Sequence, residues 1–164
     1  MKKIFSIVFI LFFSSLFGGE QQNINTTALY INKITKSISN QLKKNKKFDI
    51  KSTTIVFQPI VNMSDNRSRT IVTQKIDENL LYSMSLEGFQ VLDRKSFHKL
   101  HNKEIFSETI LIATFTKYKD GIVINARIID RQTALILSVA QVNVPKKVIR
   151  DIQRVYKKDG WFNK

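Results

Sequence analysis

The chain has 164 residues and no cysteine, and its 27 Lys and Arg against 13 Asp and Glu give a formal net charge of +14. That length predicts one domain with a real core, and the lack of cysteine excludes both disulfides and a lipid carried on a cysteine. In a cytoplasmic protein such an excess would point first to nucleic acid, but the N-terminal segment redirects it.

Lys2 and Lys3 precede a mostly apolar run from Ile4 to Phe17, followed by Gly18, Gly19 and Glu20. This is the pattern of a secretory signal, expected to be cleaved near Gly18 or Gly19. The run falls short of the ~20 apolar residues of a transmembrane helix, so a retained anchor is the lesser alternative. The expected organisation is a signal peptide over 1–19, one α/β domain over 20–146, and a basic extension over 147–164. Behind a signal, the acidic partners available to the basic surface are lipid headgroups, envelope polymers or an acidic protein face, and nucleic acid is not expected. The densest clusters are Lys43, Lys44, Lys46 and Lys47, then Lys146, Lys147, Arg150, Arg154, Lys157 and Lys158. Solvated faces and helix C-terminal turns account for them without a dedicated polyanion site.

Asn23, Asn25, Thr26 and Thr27 offer capping side chains before Ile31, Ile34, Ile38 and Leu42, whose spacing predicts an amphipathic helix. Thr53 to Phe57 is a β-branched run that predicts a strand stopping before Pro59, with Ile60 and Val61 as its fraying end. The polar stretch from Asn62 to Arg69 reads as a loop at that strand's carboxyl end. Val72, Ile76, Leu80 and Met84 then form one stripe, widened by Leu81, of a helix from about Thr70 to Glu87 that Gly88 stops. Phe89, Val91 and Leu92 predict a short strand parallel to the first, joined by a right-handed crossover. A weaker helix follows from Ser96 to about Phe106, with Phe97 and Leu100 on its stripe.

From Ile110 to Pro145 three apolar segments follow one another with tight turns between them. In the first, Leu111, Ala113 and Phe115 share one side; in the second, Ile122, Ile124, Ala126 and Ile128 do so. Asp120-Gly121 between them is a strong hairpin signal, because such turns need positive φ. The third runs from Ala134 to Val144 and ends at Pro145, so the three make an antiparallel meander. Val148, Ile149, Ile152 and Val155 suggest a short basic helix leading to Trp161 and Phe162. The order is α-β-α-β-α followed by the meander, and the expected fold is α/β, an α+β mixed sheet covered by helices.

No catalytic arrangement is legible. His98 and His101 stand three apart on the weaker helix, but two ligands do not make a metal site. The five glycines form no phosphate loop or dinucleotide fingerprint, and no serine sits in a nucleophile elbow. A fold could assemble an acid and a base only from residues such as Asp65, Asp77 and Asp93. The expectation is therefore no catalytic residue, no cofactor and no metal, with action through surfaces. The candidate contact residues are Asn62, Asp65 and Arg67 on the polar loop, Arg127 in the second meander strand, and Lys157, Trp161 and Phe162 in the aromatic, basic tail.

The meander carries a resemblance. Ile110-Leu111-Ile112-Ala113-Thr114-Phe115-Thr116, then Gly121 through Asp130, then Thr133 and the strand to Pro145 resemble the end of FlgO-type flagellar proteins. The upstream order, through Ile55-Val56-Phe57 and Gly88-Phe89-Gln90-Val91-Leu92-Asp93, is similar to their first half. The chain departs from the family at Ala113 and Ala134, where a glycine is usual. The resemblance implies a fold like the N-terminal domain of TolB, a shape shared by the outer-membrane activator of penicillin-binding proteins. It also implies a noncatalytic periplasmic or outer-membrane-associated protein that supports the flagellar motor. Its implied partners are motor or envelope proteins, or further copies of itself in a ring or disk. The alternatives are a periplasmic assembly factor or activator of cell-wall or outer-membrane machinery and, more remotely, a cell-wall hydrolase.

Overall fold

The structure, a computed structural model, describes residues 25–65, 68–93 and 109–157. Helix α1 spans 25–44 and buries the expected stripe of Ile31, Ile34, Ile38 and Leu42. Small polar residues on the same face let the next helix approach closely: the Ser83 hydroxyl donates to Thr35 Oγ1 at 3.0 Å. The lysines at 43, 44, 46 and 47 are exposed at the C-terminal end of α1, where the helix dipole favours cations.

Strand β1, Thr54–Phe57, lies between two parallel partners, β3 (Gln90–Asp93) and β4 (Thr109–Tyr118). The strand does not fray after Pro59 as its sequence suggests. Ile60 is fully buried, and the short strand β2, Val61–Asn62, resumes parallel pairing with β4 at Thr114 and Phe115. Pro59 lacks a ladder donor and only interrupts the edge that β1 and β2 together present to β4.

Helix α2, Ile71–Leu86, begins with Thr70 as N-cap. Thr70 Oγ1 accepts the Thr73 N–H at 3.1 Å, while Thr73 Oγ1 accepts the Thr70 N–H at 2.9 Å. At its other end Gly88 has φ +89°, and the N–H groups of Phe89 and Gly88 reach the carbonyls of Met84 and Ser85, both at 3.1 Å. These two bonds satisfy the last carbonyls and turn the chain into β3.

The meander is as expected, with β5 at Gly121–Asp130 and β6 at Ile136–Pro145, and the sheet order is β3-β1-β4-β5-β6. Period-two alternation is clear in β5, where Ile122, Ile124, Ala126 and Ile128 are buried and Arg127 is exposed. At the first turn the positive φ belongs to Gly121 (+155°). A Cβ there would stand 2.1 Å from the Val144 carbonyl oxygen, so close backbone approach also demands glycine.

The second turn differs from the sequence expectation. Ala134 has φ +58° and belongs to the turn, so β6 begins two residues later, at Ile136. An L-residue in the left-handed region costs about 1–2 kcal/mol, of which the greater unfolded-state freedom of glycine offsets part. Ala134→Gly is therefore expected to stabilise the domain by about 0.5–1 kcal/mol, read from a urea midpoint at unchanged slope. Asp130 organises the same turn by accepting the N–H groups of Gln132 and Thr133, both at 2.9 Å. The Thr133 amide first, then its side chain, holds the Asp130 carboxyl below its ordinary value. A depressed folded-state pKa gives stability present above the unfolded value and lost as pH falls through the folded one. The Gln132 and Thr133 amides are accordingly expected to lose exchange protection only below the usual aspartate range. Loss near neutral pH would contradict the arrangement.

Helix α3, Lys146–Lys157, follows β6 directly, its first N–H bonded to the Asp120 carbonyl at 2.8 Å. It adds Val148 and Ile152 to one continuous core with α1, α2 and the sheet, and leaves Lys146, Lys147, Arg150 and Arg154 exposed. The far edge of β6 is sealed by α1 and the residues after it. The Gln41 amide pairs with both backbone groups of Gln141, at 3.0 and 3.1 Å, and Asn45 Nδ2 donates to the Val139 carbonyl at 3.0 Å. The Lys47 N–H takes the carbonyl of Leu137, the residue bulged out of register with β5, at 2.8 Å. The weaker helix expected at 96–106, with His98 and His101, lies outside the described residues. Among the described residues no helix is long and apolar enough to cross a membrane.

Candidate functional site

The parallel strands β1 and β3 end side by side at Phe57 and Asp93, and ligand sites of open α/β sheets gather outside such carboxyl ends. A cleft of about 310 Å³ opens there. Phe57 and Pro59 line it from the β1 side, Asp93 from β3, Arg69 from the residues before α2, and Gln74, Asp77, Glu78 and Leu81 from α2 itself.

Asp77 ties this corner together. It lies on the inward face of α2 with Thr73, Leu80 and Met84, all buried. Its carboxylate accepts the N–H of the fully buried Ile60 at 2.9 Å through one oxygen and the Arg69 guanidinium through the other. The N–H left unpaired by the interruption after Pro59 is thus satisfied by an ion pair, which also fixes the loop's return to α2. Arg69 Nε is buried without a partner.

The loop before Arg69 is held by its own polar groups. Asn62 Oδ1 accepts the Ser64 N–H at 3.1 Å, the Asn62 N–H reaches the Ser68 carbonyl at 2.9 Å, and Asp65 accepts the Ser68 N–H at 2.8 Å and its hydroxyl. Asn62 and Asp65 therefore both hold Ser68, the residue before the cleft-lining Arg69. Arg127 does not join them: it is exposed on the solvent-side face of the meander, between Ile112 of β4 and Val139 of β6. Lys157 closes α3. Arg67, Trp161 and Phe162 lie outside the described residues.

Of the three candidate carboxylates, Asp77 and Asp93 meet at the cleft and Asp65 serves the loop. Asp77 is committed to Arg69 and Ile60, which makes it a structural anion. Among the described residues no group of three or more His, Cys, Asp or Glu is placed to hold a metal ion. The cleft is at the small end of ligand sites, roughly 300–1,000 Å³. Asp77 and Arg69 were absent from the contact residues read from sequence, although Asp77 falls at helical spacing from Thr73 and Leu80 on the buried stripe.

The comparisons with known proteins bear on this architecture. Residues 97–149 match the family described as FlgO protein, a span that includes all three meander strands and the start of α3. Among solved structures, the chain is similar to the LpoB C-terminal domain from Salmonella enterica, at 10% identity and a TM-score of 0.52, covering 71% of this chain and 98% of that one. It is likewise similar to the LpoB C-terminal domain from Escherichia coli, at 9% identity and a TM-score of 0.50, covering 68% of this chain and 98% of that one. At these identities the likeness is one of fold. No curated protein sequence matches the chain. The FlgO-type resemblance carried by the hairpin residues is therefore shown over residues 97–149, on a mixed α/β fold similar to that of the LpoB C-terminal domains.

Proposed function

We propose that the chain is a noncatalytic, exported accessory protein of the bacterial flagellar motor or of its passage through the outer membrane, acting through protein contacts that motility needs. The observation that carries this reading is the FlgO match over 97–149. The small cleft and the self-bonded loop beside it support a role in contact over one in chemistry. On this reading the partners are motor or envelope proteins, or further copies of the chain, and the exposed lysines of α1 and α3 face an anionic envelope surface. Deleting the gene and restoring it in trans is expected to abolish and recover swimming, with a motor component missing in images of motors in place. Motile cells with complete motors would overturn the proposal.

The fold likeness to the LpoB C-terminal domains favours a second reading, an assembly factor or activator for cell-wall or outer-membrane machinery. It predicts envelope defects in a deletion strain that still swims. Both readings place the protein in the periplasm after removal of the signal, so N-terminal sequencing of the cellular protein should begin near Gly19 or Glu20. An intact Met1 would contradict export with cleavage.

A further inference from the structure

The two edges of the sheet are finished differently. At the β6 edge, outward backbone groups of Leu137, Val139 and Gln141 are taken by Lys47, Asn45 and Gln41. At the opposite edge β3 pairs with β1 alone. In a strand paired on one side, the N–H and C=O of every second residue point away from the neighbour and are open to another strand. Among the described residues nothing pairs with those outward groups of Gln90, Val91 and Leu92. The Gln90 side chain does not cover them as Gln41 covers β6, because it is bonded to the Lys51 carbonyl and the Thr54 hydroxyl. The strand Gln90–Asp93 also carries none of the lysines, prolines or bulges that commonly close an edge to addition. Its four residues, about 13 Å of strand, admit only a short extended segment. The cleft supplies the selectivity that so short an edge lacks. Asp93 ends β3 and lines the cleft, whose apolar wall is Phe57, Pro59 and Leu81. A segment paired along β3 therefore arrives at that wall with one end.

We infer that β3 is a docking edge for an extended segment of a partner protein, which adds to the sheet as a further strand and sets one aliphatic or aromatic side chain against Phe57, Pro59 and Leu81. Backbone bonds give a complex of this kind its affinity, and the pocket gives it a preference among side chains. This goes beyond the accessory role proposed above and is tested apart from it, because the readout is amide exchange and peptide binding and does not involve motility.

Val91 and Leu92 are neighbours in β3, so one of their amides faces β1 and the other faces outward. In the free chain one is expected to be protected from hydrogen exchange and the other to exchange quickly. Slow exchange of both at every concentration would mean that the chain covers its own edge, and slow exchange of both only in concentrated solution would make a second copy the occupant. Either result overturns the inference. A phage-displayed library of random octapeptides is then expected to yield binders, and a selected peptide, once synthesised, to slow the exposed amide many-fold. Methylating the peptide's backbone nitrogens one at a time should weaken binding about tenfold at alternate positions only, the period of a strand. Leu81→Ala should lower affinity several-fold and leave that alternation in place. A library without binders, methylation effects without alternation, or a peptide indifferent to Leu81→Ala would each overturn the inference.

Discussion

Replacing Ile124 with Asp is expected to abolish the folded domain. Ile124 is fully buried in the central strand of the meander, paired with Phe115 of β4 and Val142 of β6. A carboxylate there has no cation or donor to meet it, and burying an unpaired charge belongs to the small class of substitutions that cost more than about 4 kcal/mol. Domain stabilities are roughly 5–15 kcal/mol in total, so most or all of the margin would go. Arg127→Gln, three residues along the same strand on the exposed face, should change stability by less than about 0.5 kcal/mol. Equal melting transitions for the Ile124 variant and the unaltered chain would contradict the pairing of these strands.

The second large effect is expected at Asp77. Asp77→Ala removes the acceptor of the buried Ile60 N–H and the counter-ion of Arg69 in one step. Breaking a buried ion pair from one side costs about 3–5 kcal/mol, and Arg69 is only partly exposed, so a loss of about 3 kcal/mol is expected. Asp77→Asn keeps an oxygen for Ile60 but not the charge, and should fall between the two, about 1–2 kcal/mol below the unaltered chain. Urea unfolding of all three proteins checks the order. An Asp77→Ala protein as stable as the parent would mean that Asp77 is no structural anion, and would reopen the question of its chemistry.

The parts of this fold legible from the residues were those written in a local period. The stripe of Ile31, Ile34, Ile38 and Leu42, the stripe from Val72 to Met84 and the alternation of Ile122 to Ile128 each lie within one element, and each is buried as spaced. Gly88 was legible as a helix stop because few other residues suit positive φ there. Ala134 was not, because alanine carries no turn signal; the energy that holds it at φ +58° comes from Asp130 and the strand pairing around it. Pro59 concealed the resumption of pairing at Val61, since nothing local says that β4 is long enough to meet both pieces. At the cleft, the stretch from Asn62 to Arg69 was legible as a polar, turn-rich loop, but the Arg69 and Asp77 pair that fixes its return was not. Asp77 could have been found as a charge on an apolar stripe, whereas its contact with Ile60 spans 17 residues and depends on the tertiary fold.

The seal on β6 has a consequence for how the chain is made. Gln41 and the Gln141 backbone that it covers are one hundred residues apart. A ribosome delivers α1 long before β6, so the Gln41 and Asn45 amides have no strand edge to cover until nearly the whole domain has been synthesised, even though the helix can already meet α2. Contacts of such long range are slow to close, and an unpaired strand edge is where neighbouring chains add to one another. The interval between the arrival of β6 and the docking of Gln41 and Asn45 is then the period of greatest risk for aggregation. A companion that binds the 25–44 helix during that interval would prolong the hazard, while one that binds the bare edge of β6 would shelter it.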